Sequence, residues 1–341
     1  MRLLCLMVWC AIGSPLPAAE PSPLPPSPPR PGAEAGPTRI GVAAWFADIS
    51  KIDSAAQTFS ANIVLVLRWH DPRLIREGGE TKVYDTKDVW TPRWLIANEG
   101  DSVRRSLPET VDVTPDGNVV YRQRLVGTFS QALNLRRFPF DHDTFRVELA
   151  IPGMRPEDIE FVPDPSAVFN GMRNGIGAAA SLTLQDWKVG GVTARPRPYR
   201  IAPGLQIAGY ALEFTADRRV QHYLLKVILP LILIVFMSWT VFWIDPNNGG
   251  PQISVAVTSM LTLIAYRFAI GQDVPRLPYL TRLDLFILLS SLLVFASLVE
   301  VMWTTTWAVA GRTEAARTID RRCRRIFPLL FCLIIGASFL R

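Results

Sequence analysis

Residues able to bind a metal, attack a carbonyl or move a proton are sparse in this chain and poorly grouped. Its three histidines, His70, His142 and His222, are far apart and show no metal-ligand spacing. No G-x-S-x-G nucleophile signature occurs. The lone Gly-x-Gly at 175–177 lacks the strand–turn–helix setting of a phosphate cradle and reads as a flexible loop. Catalysis, a metal and a cofactor are therefore not expected. The net charge of +6 is spread over loops and offers no nucleic-acid face. What stands out is polarity within an apolar stretch. In GGPQISVAVTSMLTLIAYRFAIGQ (249–272), Ser254, Thr258, Leu261, Ala265, Phe268 and Gln272 recur at spacings of four and three and share one helical face. Two readings are open: small polar residues gluing a bundle helix to its neighbours, or a water-lined pore. In a pore the hydroxyls would replace lost hydration, and Leu261 with Phe268 would close it by dewetting.

The elements that must hold such a face divide the 341 residues into two halves. Residues 1–19 carry one early charge, Arg2, then an apolar core ending in small residues, which is a secretory signal pattern. Residues 20–38 form a proline-rich leader for which no fold is expected. If the signal segment is removed, Cys5 and Cys10 go with it. Cys323 and Cys332 then remain near the carboxyl end, so the exported part must be held by its core rather than by disulfides.

From 39 to 218 the pattern is one of strands. Phe59, Ala61, Ile63, Leu65, Leu67 and Trp69 alternate with mostly polar neighbours, and PDGN (115–118) signals a hairpin. Phe145, Val147, Leu149 and Ile151 alternate likewise, as do Tyr210, Leu212 and Phe214. Many short strands with recurring turns predict a β-sandwich. From 219 to 341 four apolar segments follow, at about 224–244, 253–270, 283–309 and 326–340. The first contains Pro230, a kink site that neighbouring helices can accommodate. The third contains Glu300, an acid inside the membrane, expected as a structural or lipid-interface feature rather than a conduction residue. The fourth is short for a ~30 Å core. Six arginines in the stretch 310–325 mark a cytoplasmic loop, which places the amino-terminal domain and the carboxyl end outside.

Beside these features stands LRRFPFDHDTF (135–145), which could be an ordinary turn fixed by Pro139. In this order, WTP (90–92), Asn98, the 135–145 loop, SWTVFW (238–243), VPRLPY (274–279), VEV (299–301) and RRCRRIFPLLF (321–331) resemble the pentameric ligand-gated ion channels, or Cys-loop receptors. The likeness covers about residues 39–341 and is nearest the bacterial branch, which lacks the two loop cysteines. Those positions here are Gln131 and Phe145.

The resemblance implies a sandwich of about ten strands above a four-helix membrane domain, assembled as a homopentamer among membrane lipids in the plasma (inner) membrane. The second helix would line a pore for small monovalent ions, most simply cations, opened by a small molecule or by protons. Selectivity would lie near Gln252, Ser254 and Asp245. Coupling between the domains would involve Phe138, Pro139, Asp141, Arg218 and Pro275, with Asp141 and Arg218 able to pair. The agonist site would include Tyr199, Arg195, Arg197 and Trp90. An acidic position tied to proton activation in bacterial members falls at Gln57. The alternatives are a non-conducting periplasmic sensor and an anion-selective channel of the same family.

Overall fold

The computed structural model describes residues 28–34, 36–164, 166, 175–270 and 277–339. The signal segment and the start of the leader lie outside these residues. The end of the leader is not the structureless spacer expected of it. Arg30 donates to the carbonyl of Gly36 and to the Asp158 carboxylate, and the Thr38 hydroxyl donates to the carbonyl of Pro31. Residues 30–34 and 36–38 are thereby docked on the sandwich.

Thirteen strands occur among the described residues, against about ten expected, and they form two sheets. In the first sheet β1 (Thr38–Asp53), β2 (Thr58–His70) and β7 (Asn118–Ser130) form the antiparallel centre. On its flanks lie β3 (Lys82–Asp85), β5 (Glu99–Arg105) and β6 (Thr110–Val113) on one side, and β9 (Ile159–Pro163) and β10 (Ile176–Ala178) on the other. The second sheet joins β4 (Leu95–Ile96), β8 (His142–Ile151), β11 (Trp187–Pro196), β12 (Tyr199–Ala202) and β13 (Leu205–Arg218).

The alternation in β2 works as period two requires: Phe59, Ala61, Ile63, Leu65, Leu67 and Trp69 all face the core. There Phe59 meets Phe129, Phe145 and Phe214, and Trp69 meets Trp90 edge to face. The β6–β7 hairpin turns at Gly117, whose φ of +76° suits a residue without Cβ. A Cβ there would also sit 2.7 Å from the carbonyl of Asp71. The stretch 176–178, expected as loop, pairs parallel with Ala44, Trp45 and Phe46 of β1.

Below the sandwich, α1 (Gln221–Trp243), α2 (Gly249–Ile270) and α3 (Arg282–Val309) are long and apolar enough to cross a membrane. The fourth helix, α4 (Thr313–Phe339), begins thirteen residues before the apolar segment expected to form it. The arginine-rich stretch is therefore mostly helix, and the connection from α3 is a tight turn at Gly311, φ +80°. Within α1 the segment Leu224–Ile228 is a π-turn. Pro230 lacks an N–H and crowds the carbonyl four residues back, so the helix widens just before it. The Tyr266 hydroxyl of α2 donates to the carbonyl of Val227 inside that turn.

Candidate functional site

The 135–145 loop lies where the sandwich meets the helices. Residues 135–137 form one 3₁₀ turn, with the Asn134 side chain accepting from the Arg136 N–H, and the Phe138–Pro139 peptide is cis. Where paired cysteines would close the loop, Gln131 accepts from the N–H of Arg146 at 3.2 Å, and Phe145 lies in the core. A side-chain amide and packing thus do the work of a covalent tie.

Asp141 and Arg218 form a bidentate pair at 2.8 and 2.9 Å, both buried. The same guanidinium donates to Ser54 Oγ at 2.7 Å, in the β1–β2 turn. It lies over the Trp187 ring at 4.1 Å and over Phe138 at 4.9 Å. Nε and Nη2 both donate and the rings cover the guanidinium, which offsets part of the cost of taking the charge out of water. Next to it, burial pushes the Asp143 carboxyl above its ordinary range, and the charge of Asp141 adds to this. Gln57, also in the β1–β2 turn, adopts φ +54°, and its carbonyl accepts from the N–H of Gln131.

From this cluster the loop reaches three helices. Phe138 stacks edge to face on Tyr223 of α1 at 4.8 Å. Its carbonyl accepts from the Leu283 N–H at the start of α3, and the Leu135 N–H donates to the Tyr279 hydroxyl at 3.2 Å. Phe140 meets Phe339, the last described residue of α4, at 5.6 Å. Sequence reasoning named Phe138, Asp141 and Arg218 but missed Ser54, Trp187, Tyr223, Tyr279 and Phe339. Only the aromatic type of four of these could have flagged them. Pro275 and Gln272 lie outside the described residues.

On α2, Ser254, Thr258, Leu261, Ala265 and Phe268 are all exposed, with Leu261 at 60% and Phe268 at 81%. Ala256, Ser259, Leu263 and Ile270 face the bundle. The Thr258 hydroxyl bonds back to the Ser254 carbonyl at 2.7 Å. Gln252 does not belong to the exposed line: it is 0% exposed and its side chain touches Thr305 of α3. At about 100° per residue it stands roughly 200° round the helix from Ser254, on the packed side. Asp245 caps the turn before α2 and pairs with Arg317 of α4 at 3.0 Å. The Asn247 N–H and Arg317 together hold its carboxyl below the usual range.

The residues expected at an agonist site are not brought together. Trp90 is 4% exposed and packed in the core, beside a 320 Å³ cavity that Ile151 and Met154 also line. Tyr199 lines a separate 360 Å³ cavity with Glu148, Arg197 and Arg200. Arg195 and Arg146 both bond Glu213, at 3.1 and 2.7 Å, and Arg197 pairs with Glu148 at 3.1 Å. Burial pushes the Glu213 carboxyl up, but the two arginine hydrogen bonds outweigh it and leave it below its ordinary value. Arg195 and Arg197 are thus engaged by acids of their own chain. No metal-holding group of three His, Cys, Asp or Glu occurs among the described residues.

Comparison with known families matches residues 27–201 to the neurotransmitter-gated ion-channel ligand binding domain and residues 227–314 to the neurotransmitter-gated ion-channel transmembrane region. A proton-gated ion channel of Gloeobacter violaceus is 26% identical over 321 residues, which is 90% of this chain and 84% of that protein. Gamma-aminobutyric acid receptor beta subunits of Lymnaea stagnalis and Caenorhabditis elegans are 23% and 24% identical over 86% and 76% of the chain. The aligned regions span 61% and 47% of those subunits.

Proposed function

This chain belongs to the neurotransmitter-gated ion-channel family, and from that premise we propose a homopentamer whose α2 helices line the pore. It is a ligand-gated ion channel with its amino-terminal domain outside the cell. The carrying observation is the division of α2 into a bundle-facing side and an exposed line from Ser254 to Phe268. Around a five-fold axis that line would form rings of hydroxyls below and of Leu261 and Phe268 above, the latter two closing the path by dewetting. Ser254, with the Asp245–Arg317 pair at the inner mouth, would meet the permeant ions, for which we take small monovalent cations.

Opening would start in the sandwich and pass through the Asp141–Arg218 cluster, whose loop touches α1, α3 and α4. The agonist is a proton or a small molecule entering near Tyr199. Because Arg195 and Arg197 are already paired with Glu213 and Glu148, those two offer little to a simple anion. Voltage clamp of expressing cells tests the whole reading. Bath pH is stepped in both directions, a panel of amines and acids is applied, and reversal is read under a sodium chloride gradient. A gated current reversing towards the sodium potential is expected, whereas reversal towards chloride overturns the cation assignment. Leu261→Ser should leak without agonist, and its silence at confirmed surface expression would sink the pore assignment.

A further inference from the structure

Glu300 lies in the cytoplasmic half of α3, yet its carboxyl faces neither lipid nor the exposed line of α2. Both its oxygens are sealed from solvent, and they face Asp320 of α4 within hydrogen-bonding reach. Asp320 is 1% exposed, and neither of its oxygens receives a hydrogen bond from a well-aligned donor. A third group arrives from α2: the Gln252 amide nitrogen is fully buried, has no aligned acceptor and points towards Asp320. Its oxygen takes only a long 3.4 Å contact from Thr305.

The surrounding charges do not neutralise this cluster. Arg324 of α4 is near, but its Nε donates to the Phe242 carbonyl and its guanidinium lies over Trp243. Asp245, before α2, adds negative charge and is itself paired with Arg317. The Cys323 thiol adjoins Glu300.

Two carboxylates in contact, out of water and with no arginine or lysine ion-paired to either among the described residues, cannot readily both remain ionised. One proton resolves the conflict. A protonated Glu300 donates to Asp320, and an Asp320 oxygen accepts from Gln252, so that every orphaned group acquires a partner.

We propose that Glu300, Asp320 and the Gln252 amide form a proton-binding site behind the inner end of the pore helix, separate from any agonist site in the sandwich. Releasing the proton to the cytoplasm breaks one O–H bond and leaves two like charges between α3 and α4. There is little slack to absorb their repulsion, because a Cβ on Gly249 would lie 2.4 Å from the Thr305 methyl. Cytoplasmic alkalinity should therefore loosen the seating of α2 at its inner end.

The inference goes beyond the channel reading and rests only on how α2, α3 and α4 pack. Infrared spectroscopy of the purified full-length protein in lipid tests it against Glu300→Gln and Asp320→Asn. Both are isosteric, and their unchanged elution on size exclusion controls for folding. The wild type should show the carbonyl stretch of a protonated buried carboxyl at neutral pH and lose it in alkaline buffer. Each substitution should remove that band, since an amide then satisfies the remaining carboxylate. A difference spectrum with no such band between wild type and both variants overturns the site. A band that behaves as expected in a protein that conducts nothing would uphold the site and sink the channel reading instead.

Discussion

Asp141 and Asp320 are both buried carboxyls at the meeting of several elements, and their surroundings are opposites. Asp141 has a bidentate arginine whose Nη2 also donates to Ser54 and whose guanidinium lies against the Trp187 and Phe138 rings. Asp320 has another acid and an amide. A charge paired in this way behaves as a fixed strut that tolerates no loss of a partner. An unmet one can change its protonation state and with it the packing around it. The molecule thus keeps a rigid electrostatic joint at the outer interface and a chemically variable one at the inner end.

The contrast is broken most severely from the outer side. Arg218→Met should cost about 3–5 kcal/mol by stranding Asp141, read as a large fall in thermal stability together with loss of gating. Adding Asp141→Leu to that variant should recover much of the stability and none of the gating. If gating returned as well, the pair would be scaffold only. At the inner joint, Asp320→Leu should change stability far less than Arg218→Met, because no cation is orphaned. A loss of equal size would show that the two sites are built alike.

Acid sharpens the comparison in a third place. The Glu213 carboxyl, held by Arg195 and Arg146 below its unfolded value of 4.5, adds stability at neutral pH. That contribution is lost as pH falls below the unfolded value and through the lower folded one. Melting curves of Glu213→Gln should therefore be flatter on the acid limb than those of the wild type. The smallest effect is expected from Phe140→Ala, which removes one edge-to-face contact worth about 0.5–1.5 kcal/mol. Protease sensitivity at the end of α4 should report it.

The sandwich was legible because period two is written into single strands: β2 and β8 alternate over most of their length, and β13 repeats large apolar residues at Tyr210, Leu212 and Phe214 although it is buried on both faces there. Strand β10 was not, since a three-residue strand pairing in parallel with β1 has no local signature. The start of α4 was hidden for another reason. Its first half is helical but basic, so hydropathy finds only the second. On α2 the spacing gave the exposed line. The same spacing excludes Gln252 from it, and proximity in sequence to Ser254 concealed that. The Asp141–Arg218 contact came from family likeness. Ser54 and Trp187, which complete it, stand on segments far from both in sequence, where no periodicity could point to them.

The π-turn in α1 has a mechanical corollary. A regular helix holds its carbonyls in its own ladder, but the widened turn before Pro230 offers the one on Val227 to Tyr266 of the neighbouring helix. At membrane depth no water stands ready to replace that bond, so a twist of α2 must drag the bend of α1 along or break a linkage with no substitute. Since α1 starts three residues after Arg218, torque applied at the top of the chain has a crankshaft to the pore, hinged at a defect that the proline created.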